Sequence, residues 1–322
     1  MKYKLLITRP IPHKVIEKAR EFFDVEVRNS VLPASKTELI NALQNYDAII
    51  TAIGDKFDKE IFFKIRTPRT KIISNFGVGY DHLDLNAASK LKIRVTNTPD
   101  VVTDATADIA MTLILMTARR AIEGDKLVRS GNWKGWNPMQ MLGTHVTGST
   151  VGIIGMGRIG KAIALRCNMG FGMPVVYYNR SKVDSVDLKN SYQASSLNEL
   201  LSVSDVVVIS IPGGPDTYHL IDKKAFDQMK SKSILINIAR GEIVKESDLI
   251  TALQDKNISG AGLDVYEFEP LVSSKLIDLE NVVLLPHLGT AALSVREEMG
   301  FIALQNIITI LLEKKPTPNL IN

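Results

Sequence analysis

The chain lacks most of what would tie it to a membrane, a metal or a nucleic acid. It has one cysteine, Cys167, in 322 residues, so no intrachain disulfide can form and no cluster of thiolates can hold zinc. A lone thiol fits a reducing compartment, and a cytoplasmic location is expected. Cys167 lies in "AIALRCNMGFG", where it reads as core filler on a buried helix face. No run of about 18 apolar residues appears, so no membrane span is expected. The opening "MKYKLLITRP" is broken too soon by Pro10 and Pro12 to serve as a signal peptide. The formal net charge is only +4 and no dense Lys/Arg cluster is interleaved with aromatics, which argues against a nucleic-acid partner. The slight positive balance favours an anionic small molecule, though weakly.

What is present is an alternation. Apolar runs at 4–8, 47–51, 71–75 and 93–97 read as strands. Between them, 12–23, 35–44, 58–65 and 82–91 carry apolar residues at helical spacing. A long helical segment spans 104–131, with Thr103 or Asp104 able to cap its start. A loop at 132–148 then holds both tryptophans, Trp133 and Trp136. A second strand–helix series begins with the segment 150–172 and continues through 174–179, 205–210, 233–239, 258–265 and 282–286, and a last helix covers about 291–313. Strand–helix alternation at this length predicts an α/β protein of two domains, each a doubly wound parallel sheet covered on both faces.

Three glycines, Gly155, Gly157 and Gly160, stand in "VGIIGMGRIG" with G-x-G-x-x-G spacing. The first permits a tight turn. The second lets backbone approach a pyrophosphate, and the third lets the helix pack close on the strand. The segment follows a strand and opens a helix, the context that dinucleotide binding needs. The next strand, "VVYYN", ends in Asn179, Arg180 and Ser181, where an NAD-binding domain usually places an acid for the ribose hydroxyls. An acid would repel a 2′-phosphate, whereas these three would accept one. A plain polar turn is the alternative. NADP(H) is expected in preference to NAD(H), with NAD(H) still usable.

"ILINIARGEIV" runs straight to Arg240 and turns at Gly241. A strand reaching the surface would account for this. So would a ligand, because open α/β sheets bind ligands at the carboxyl ends of their strands. Glu269 and His287 also follow strands of the second series. The other histidines, His13, His82, His145 and His219, read as surface residues. Histidine exchanges a proton near neutral pH and can protonate a forming alkoxide. A carboxylate on its other ring nitrogen fixes the tautomer. A guanidinium can clamp a substrate carboxylate and polarise the adjacent carbonyl. These residues predict a nicotinamide oxidoreductase acting on a carboxylated carbonyl.

The segments "VGIIGMGRIGKAIA", "INIARGEIV", "GAGLDVYEFEP" and "LLPHLGTA", with "FGVGYDHLD" and "TPDVVTDATADIAM", resemble the D-isomer-specific 2-hydroxyacid dehydrogenases over essentially the whole chain. Within that family the "GNWKGWNPMQMLG" loop and the non-acidic "YYNR" resemble glyoxylate/hydroxypyruvate reductases. The resemblance implies two Rossmann-like domains with an active cleft between them. One is a discontinuous, flavodoxin-like substrate domain at 1–98 and 291–322. The other is a cofactor domain at 99–290, whose arm at 104–148 builds a homodimer. It implies that Arg240 binds substrate, His287 is the acid/base and Glu269 tunes it. The N–H groups of Val78 and Gly79 would receive the substrate carboxylate, and Trp136 would reach the neighbouring subunit's substrate site. Cofactor contacts would come from Thr106, Gly155, Gly157, Arg158, Ile159, Gly160, Asn179, Arg180, Ser181, Pro212, Thr217, Ala239, Asp264, His287 and Gly289. No metal is implied. One departure stands out: "IPGG" (211–214) replaces the family's common Pro-Leu-Thr pattern. Other keto acids, such as a 2-keto sugar acid or 3-phosphohydroxypyruvate, remain alternatives as substrate. So does a non-catalytic, dinucleotide-sensing binding protein of the same fold.

Overall fold

A computed structural model describes residues 2–183 and 187–322. The chain forms two compact units, Met1–Val102 with Thr290–Asn322, and Thr103–Gly289.

The first unit has five strands: β1 (Lys4–Ile7), β2 (Asp24–Val27), β3 (Ala48–Thr51), β4 (Ile72–Asn75) and β5 (Arg94–Thr96). They pair in the order β2-β1-β3-β4-β5, every pair parallel. The inner strands are buried on both faces, so they read as unbroken apolar runs rather than alternating ones. Leu6, Ile49 and Ile73 pack on one face against Leu43, Phe57 and Ile61. Their neighbours Leu5, Ile7 and Ile50 pack on the other, under Ala303, Leu304 and Ile307 of the helix Leu293–Leu311.

The second unit has seven: β6 (Val151–Ile154), β7 (Val175–Tyr178), β8 (Ser191–Gln193), β9 (Val206–Ile209), β10 (Ile234–Asn237), β11 (Gly260–Leu263) and β12 (Val282–Leu284). Their order is β12-β11-β10-β9-β6-β7-β8, again all parallel. The chain winds outward one way from β6 and the other way from β9. The gap between those two strands is therefore the topological switch point, where dinucleotides bind in such sheets. Leu113 and Ile114 of the helix Thr103–Ala118 are fully buried on this sheet, each contributing roughly 1.5–3 kcal/mol.

Three expectations change. β2 and β8 do not stand out in the sequence, because each is a short edge strand, "DVEV" and "SYQ", interrupted by polar residues and without an unbroken apolar run. The helical run at 104–131 is two helices, Thr103–Ala118 and Ala121–Arg129. Arg120 between them has φ 52° and bonds the Glu123 carboxylate at 2.9 and 2.6 Å, while Thr144 N–H takes the terminal Ala118 carbonyl at 2.8 Å. No glycine or proline marks that break. Asp104 lies inside the first turn, and its carboxylate accepts from Arg166 at 3.0 Å instead of capping. Among the described residues no helix is long and apolar enough to cross a membrane.

Candidate active site

The glycine turn leaves β6 and opens the helix Arg158–Leu165, and each glycine has its own steric reason. Gly155 has φ 98°, and a Cβ there would lie 2.6 Å from the Ser210 carbonyl oxygen and 2.5 Å from Ile211 Cγ2. At Gly160 it would lie 2.0 Å from the Gly155 carbonyl oxygen, so only glycine lets the helix sit this close. Around Gly157 there is nothing within 4 Å, so the backbone is open to an incoming group. Arg158 and Ile159 begin the helix, whose first N–H groups carry the positive end of its dipole. Two glycines set by packing and one facing open space are what a bound pyrophosphate requires.

At the end of β7, the Asn179 carboxamide oxygen accepts the Met156 N–H at 3.3 Å and its nitrogen donates to Ser181 O at 3.3 Å. Arg180 and Ser181 are exposed. Arg180 has an acidic neighbour that the linear pattern concealed: Asp216 Oδ2 lies 3.7 Å from its Nη1, with both side chains about nine-tenths exposed (92% and 88%). Such a pair is weak and leaves the guanidinium available to a stronger anion. Thr217 Oγ1 donates to the Pro212 carbonyl at 2.9 Å, closing the turn after β9.

Arg240 follows β10. Asn237 shapes the turn, donating to Arg240 O at 2.9 Å and accepting from the buried Ala239 N–H at 3.0 Å. Arg240 Nη1 donates to Ala239 O at 2.7 Å, so the strand does not simply end in a free surface arginine. The "IPGG" departure now has a physical account. A Cβ on Gly213 would lie 2.9 Å from both Arg240 Cγ and Glu242 Oε1, and Gly214 N–H donates to that Glu242 oxygen at 3.2 Å. The missing side chain is the room that the Arg240 stem occupies.

Glu269 and His287 meet beyond β11 and β12. His287 Nδ1 lies 3.0 Å from Glu269 Oε2, and Glu269 Oε1 accepts the Tyr266 N–H at 3.0 Å. Burial alone would push the Glu269 carboxyl up. The His287 hydrogen bond and charge, the Tyr266 N–H and the Arg240 charge together hold it below its ordinary value. Glu269 is therefore ionised near neutrality, Nδ1 carries the hydrogen, and Nε2 is left to exchange a proton.

His287 has φ 56°, a left-handed conformation that a non-glycine residue adopts at some cost. Asp264, 1% exposed, holds it there: its carboxylate accepts the Leu288 N–H at 2.6 Å and the Gly289 N–H at 2.8 Å. Burial pushes the Asp264 carboxyl above its ordinary value, against those two donors. Thr106 Oγ1 donates to Gly289 O at 3.3 Å from the neighbouring helix. Asp264 and Thr106 thus brace the His287 turn, a role invisible to motif reading because it depends on which backbone groups lie opposite.

Two of the histidines expected at the surface are instead buried or half-buried and paired. His82 is buried in the first unit, its Nε2 3.1 Å from Asn75 Oδ1. His219 pairs with Glu267, Nε2 to Oε1 at 2.6 Å, and Glu267 Oε2 accepts the Glu246 N–H at 2.9 Å. Both sit in polar sequence yet find acceptors, His82 seven residues back across its loop and His219 48 residues on. His13 and His145 are exposed. Cys167 is fully buried, and burial pushes its thiol up to about 12. Trp136 is 80% exposed on the arm, beside exposed Met139 and Leu142. Val78 and Gly79 lie in a half-buried loop after β4.

Comparison with known proteins agrees with this architecture. Residues 111–289 match the model of the D-isomer specific 2-hydroxyacid dehydrogenase NAD-binding domain. The chain is 44% identical to a glyoxylate reductase of Thermococcus onnurineus over 326 aligned positions, covering all of this chain and 96% of that one. A glyoxylate reductase of Pyrococcus horikoshii is 43% identical with the same coverage. Among solved structures, an NADPH-dependent glyoxylate/hydroxypyruvate reductase from Sinorhizobium meliloti, in complex with NADP and malonate, superposes with a TM-score of 0.88 at 30% identity. That match covers 100% of this chain and 97% of the other.

Proposed function

We propose, for a chain that belongs to the D-isomer-specific 2-hydroxyacid dehydrogenase family, the reduction of glyoxylate and hydroxypyruvate to 2-hydroxy acids, with NADPH preferred over NADH. The observation that carries the chemistry is the 3.0 Å contact between Glu269 and His287 Nδ1, which leaves Nε2 as the proton donor. The substrate class rests on the names of the relatives, and the cofactor preference on Asn179, Arg180 and Ser181.

In this reading the open backbone at Gly157 and the first turn after it hold the pyrophosphate, while Arg180 and Ser181 meet the 2′-phosphate. The nicotinamide, when bound, supplies the hydride. Arg240 holds the keto acid through its planar guanidinium and polarises the keto oxygen. His287 Nε2 gives its proton to the forming alkoxide, and ionised Glu269 stabilises the imidazolium until that transfer. Asp264 and Thr106 keep the imidazole aimed, and their contacts to the nicotinamide are part of the same proposal. In the first unit, the N–H groups of Val78 and Gly79 are our candidates for the substrate carboxylate. The exposed Trp136, Met139 and Leu142 support a homodimer formed through this arm, with Trp136 offered to the partner.

A side-by-side kinetic screen tests the reading, with glyoxylate, hydroxypyruvate, pyruvate and 2-ketogluconate, each with NADPH and NADH. The highest kcat/KM is expected for glyoxylate or hydroxypyruvate with NADPH. No turnover of any keto acid, with cofactor binding intact, would leave a dinucleotide-sensing protein instead.

A further inference from the structure

Behind the loop at 77–79, three successive carbonyls are tied down. Asn75 ends β4 at 1% exposure, and its Nδ2 donates to Gly77 O and to Gly79 O, both at 2.9 Å. The carbonyl between them, Val78 O, accepts from Asn97 Nδ2 at 3.0 Å. Gly77 O also accepts the Thr98 N–H at 3.1 Å. A trans peptide is planar, with its C=O and N–H pointing opposite ways. Holding Gly77 O inward therefore turns the Val78 N–H outward, and holding Val78 O does the same for the Gly79 N–H. Among the described residues, neither of these N–H groups donates to a protein acceptor. Gly77 takes φ 155°, a backbone conformation that side chains rarely allow.

An amide in the position of Asn75 has two orientations. The wrong one would face its oxygen against two carbonyl oxygens. Those two carbonyls exclude it, and His82 holds the remaining atom: its Nε2 lies 3.1 Å from Asn75 Oδ1, which can only accept, so the Nε2–H tautomer locks the amide in place. His82 is 9% exposed, and its Nε2 donates.

We infer that Asn75 and His82 are positioning residues for the substrate carboxylate: His82 locks the Asn75 amide, which ties back the loop carbonyls and aims the Val78 and Gly79 N–H groups at the anion. This rests on the functional reading above. The test compares wild type with Asn75→Asp, His82→Ala and His82→Gln. The aspartate sets a bare oxygen against two carbonyls, the alanine removes the donor, and the glutamine restores one. Asn75→Asp and His82→Ala are expected to raise the glyoxylate KM about ten-fold, as loss of one or two hydrogen-bonding groups does, with a smaller change in kcat. NADPH affinity, read from nucleotide fluorescence, should stay near wild type, and His82→Gln should recover most of the loss. In wild type, oxamate should shift the backbone amide resonances of Val78 and Gly79. Glyoxylate KM unchanged in both disruptive variants, no recovery in His82→Gln, or Val78 and Gly79 resonances unmoved by oxamate would overturn the inference. If Asn75→Asp does not fold, the two His82 variants decide. A wild type that binds oxamate at these amides yet turns over no keto acid would sink the reductase reading and leave this inference standing.

Discussion

His287 Nδ1 and Glu269 Oε2 lie 3.0 Å apart although 18 positions separate them in the chain, and each is also held from a second side. Glu269 accepts the Tyr266 N–H, and the His287 turn is fastened to buried Asp264. The pair thus sits in the two segments that follow the adjacent strands β11 and β12, each fastened by backbone hydrogen bonds.

His287→Ala should lower kcat for glyoxylate by about 10²–10⁴, the range spanned by general acid–base contributions. NADPH affinity should be nearly unchanged. Steady-state rates and nucleotide fluorescence check this, and retention of most of kcat would remove His287 from the acid role.

Glu269 has a folded-state value depressed below the ordinary 4.5, so its ionised form is favoured in the native state. That contribution to stability is complete above pH 4.5 and is lost as the pH falls through the lower folded value. Wild type should therefore melt above Glu269→Gln at pH 6, and the gap should narrow on going to pH 3.5. Thermal melts across this window test it. An equal gap at both pH values would mean that Glu269 draws nothing from its charged partners.

Arg240→Lys should cost about ten- to a hundred-fold in kcat/KM, because a charge-assisted hydrogen bond contributes about 1.5–3 kcal/mol and an ammonium cannot make the paired contact. Substrate kinetics at saturating NADPH measure it. Wild-type efficiency in the lysine variant would return Arg240 to the role of a strand-end surface residue.

Gly157→Ala and Gly160→Ala should separate cofactor binding from folding. A methyl on Gly157 meets nothing within 4 Å, so stability should hold while NADPH binding weakens. A methyl on Gly160 would lie 2.0 Å from backbone oxygen, so that variant should melt well below wild type. Equal loss of stability in both would remove the pyrophosphate from the open side of the turn.

Arg180→Ala should raise the NADPH KM by roughly ten-fold or more and hardly move that for NADH. Asn179→Asp keeps an oxygen for the Met156 N–H while adding charge, and should shift selectivity towards NADH. The preference should weaken with salt, since the contact is exposed and screened. KM for both nucleotides at low and high ionic strength decides, and an unaltered ratio in Arg180→Ala would reduce "YYNRS" to a polar turn.

Much of this molecule is written locally. Buried parallel strands must be continuously apolar, so β1, β3, β4, β6, β9 and β10 announce themselves, and a G-x-G-x-x-G turn needs its glycines in fixed steps. Arg240, Glu269 and His287 stand out in the sequence because each follows a strand, and the carboxyl ends of strands share one edge of a parallel sheet. What stayed hidden depends on partners that linear spacing does not reveal. β2 and β8 exist because a neighbouring edge accepts them, and the helix break at Arg120 exists because a distant loop takes the last carbonyl. Asp264 reads as a polar residue after a strand, but the N–H groups of Leu288 and Gly289 across the sheet make it the brace of the His287 turn. His82 looks solvated in "VGYDHLD" and becomes buried because Asn75 offers it an acceptor. Apolar patterning and turn chemistry act over a few residues and are read directly. The pairing of a buried polar group is a matter of which backbone lies opposite, and that only the folded chain decides.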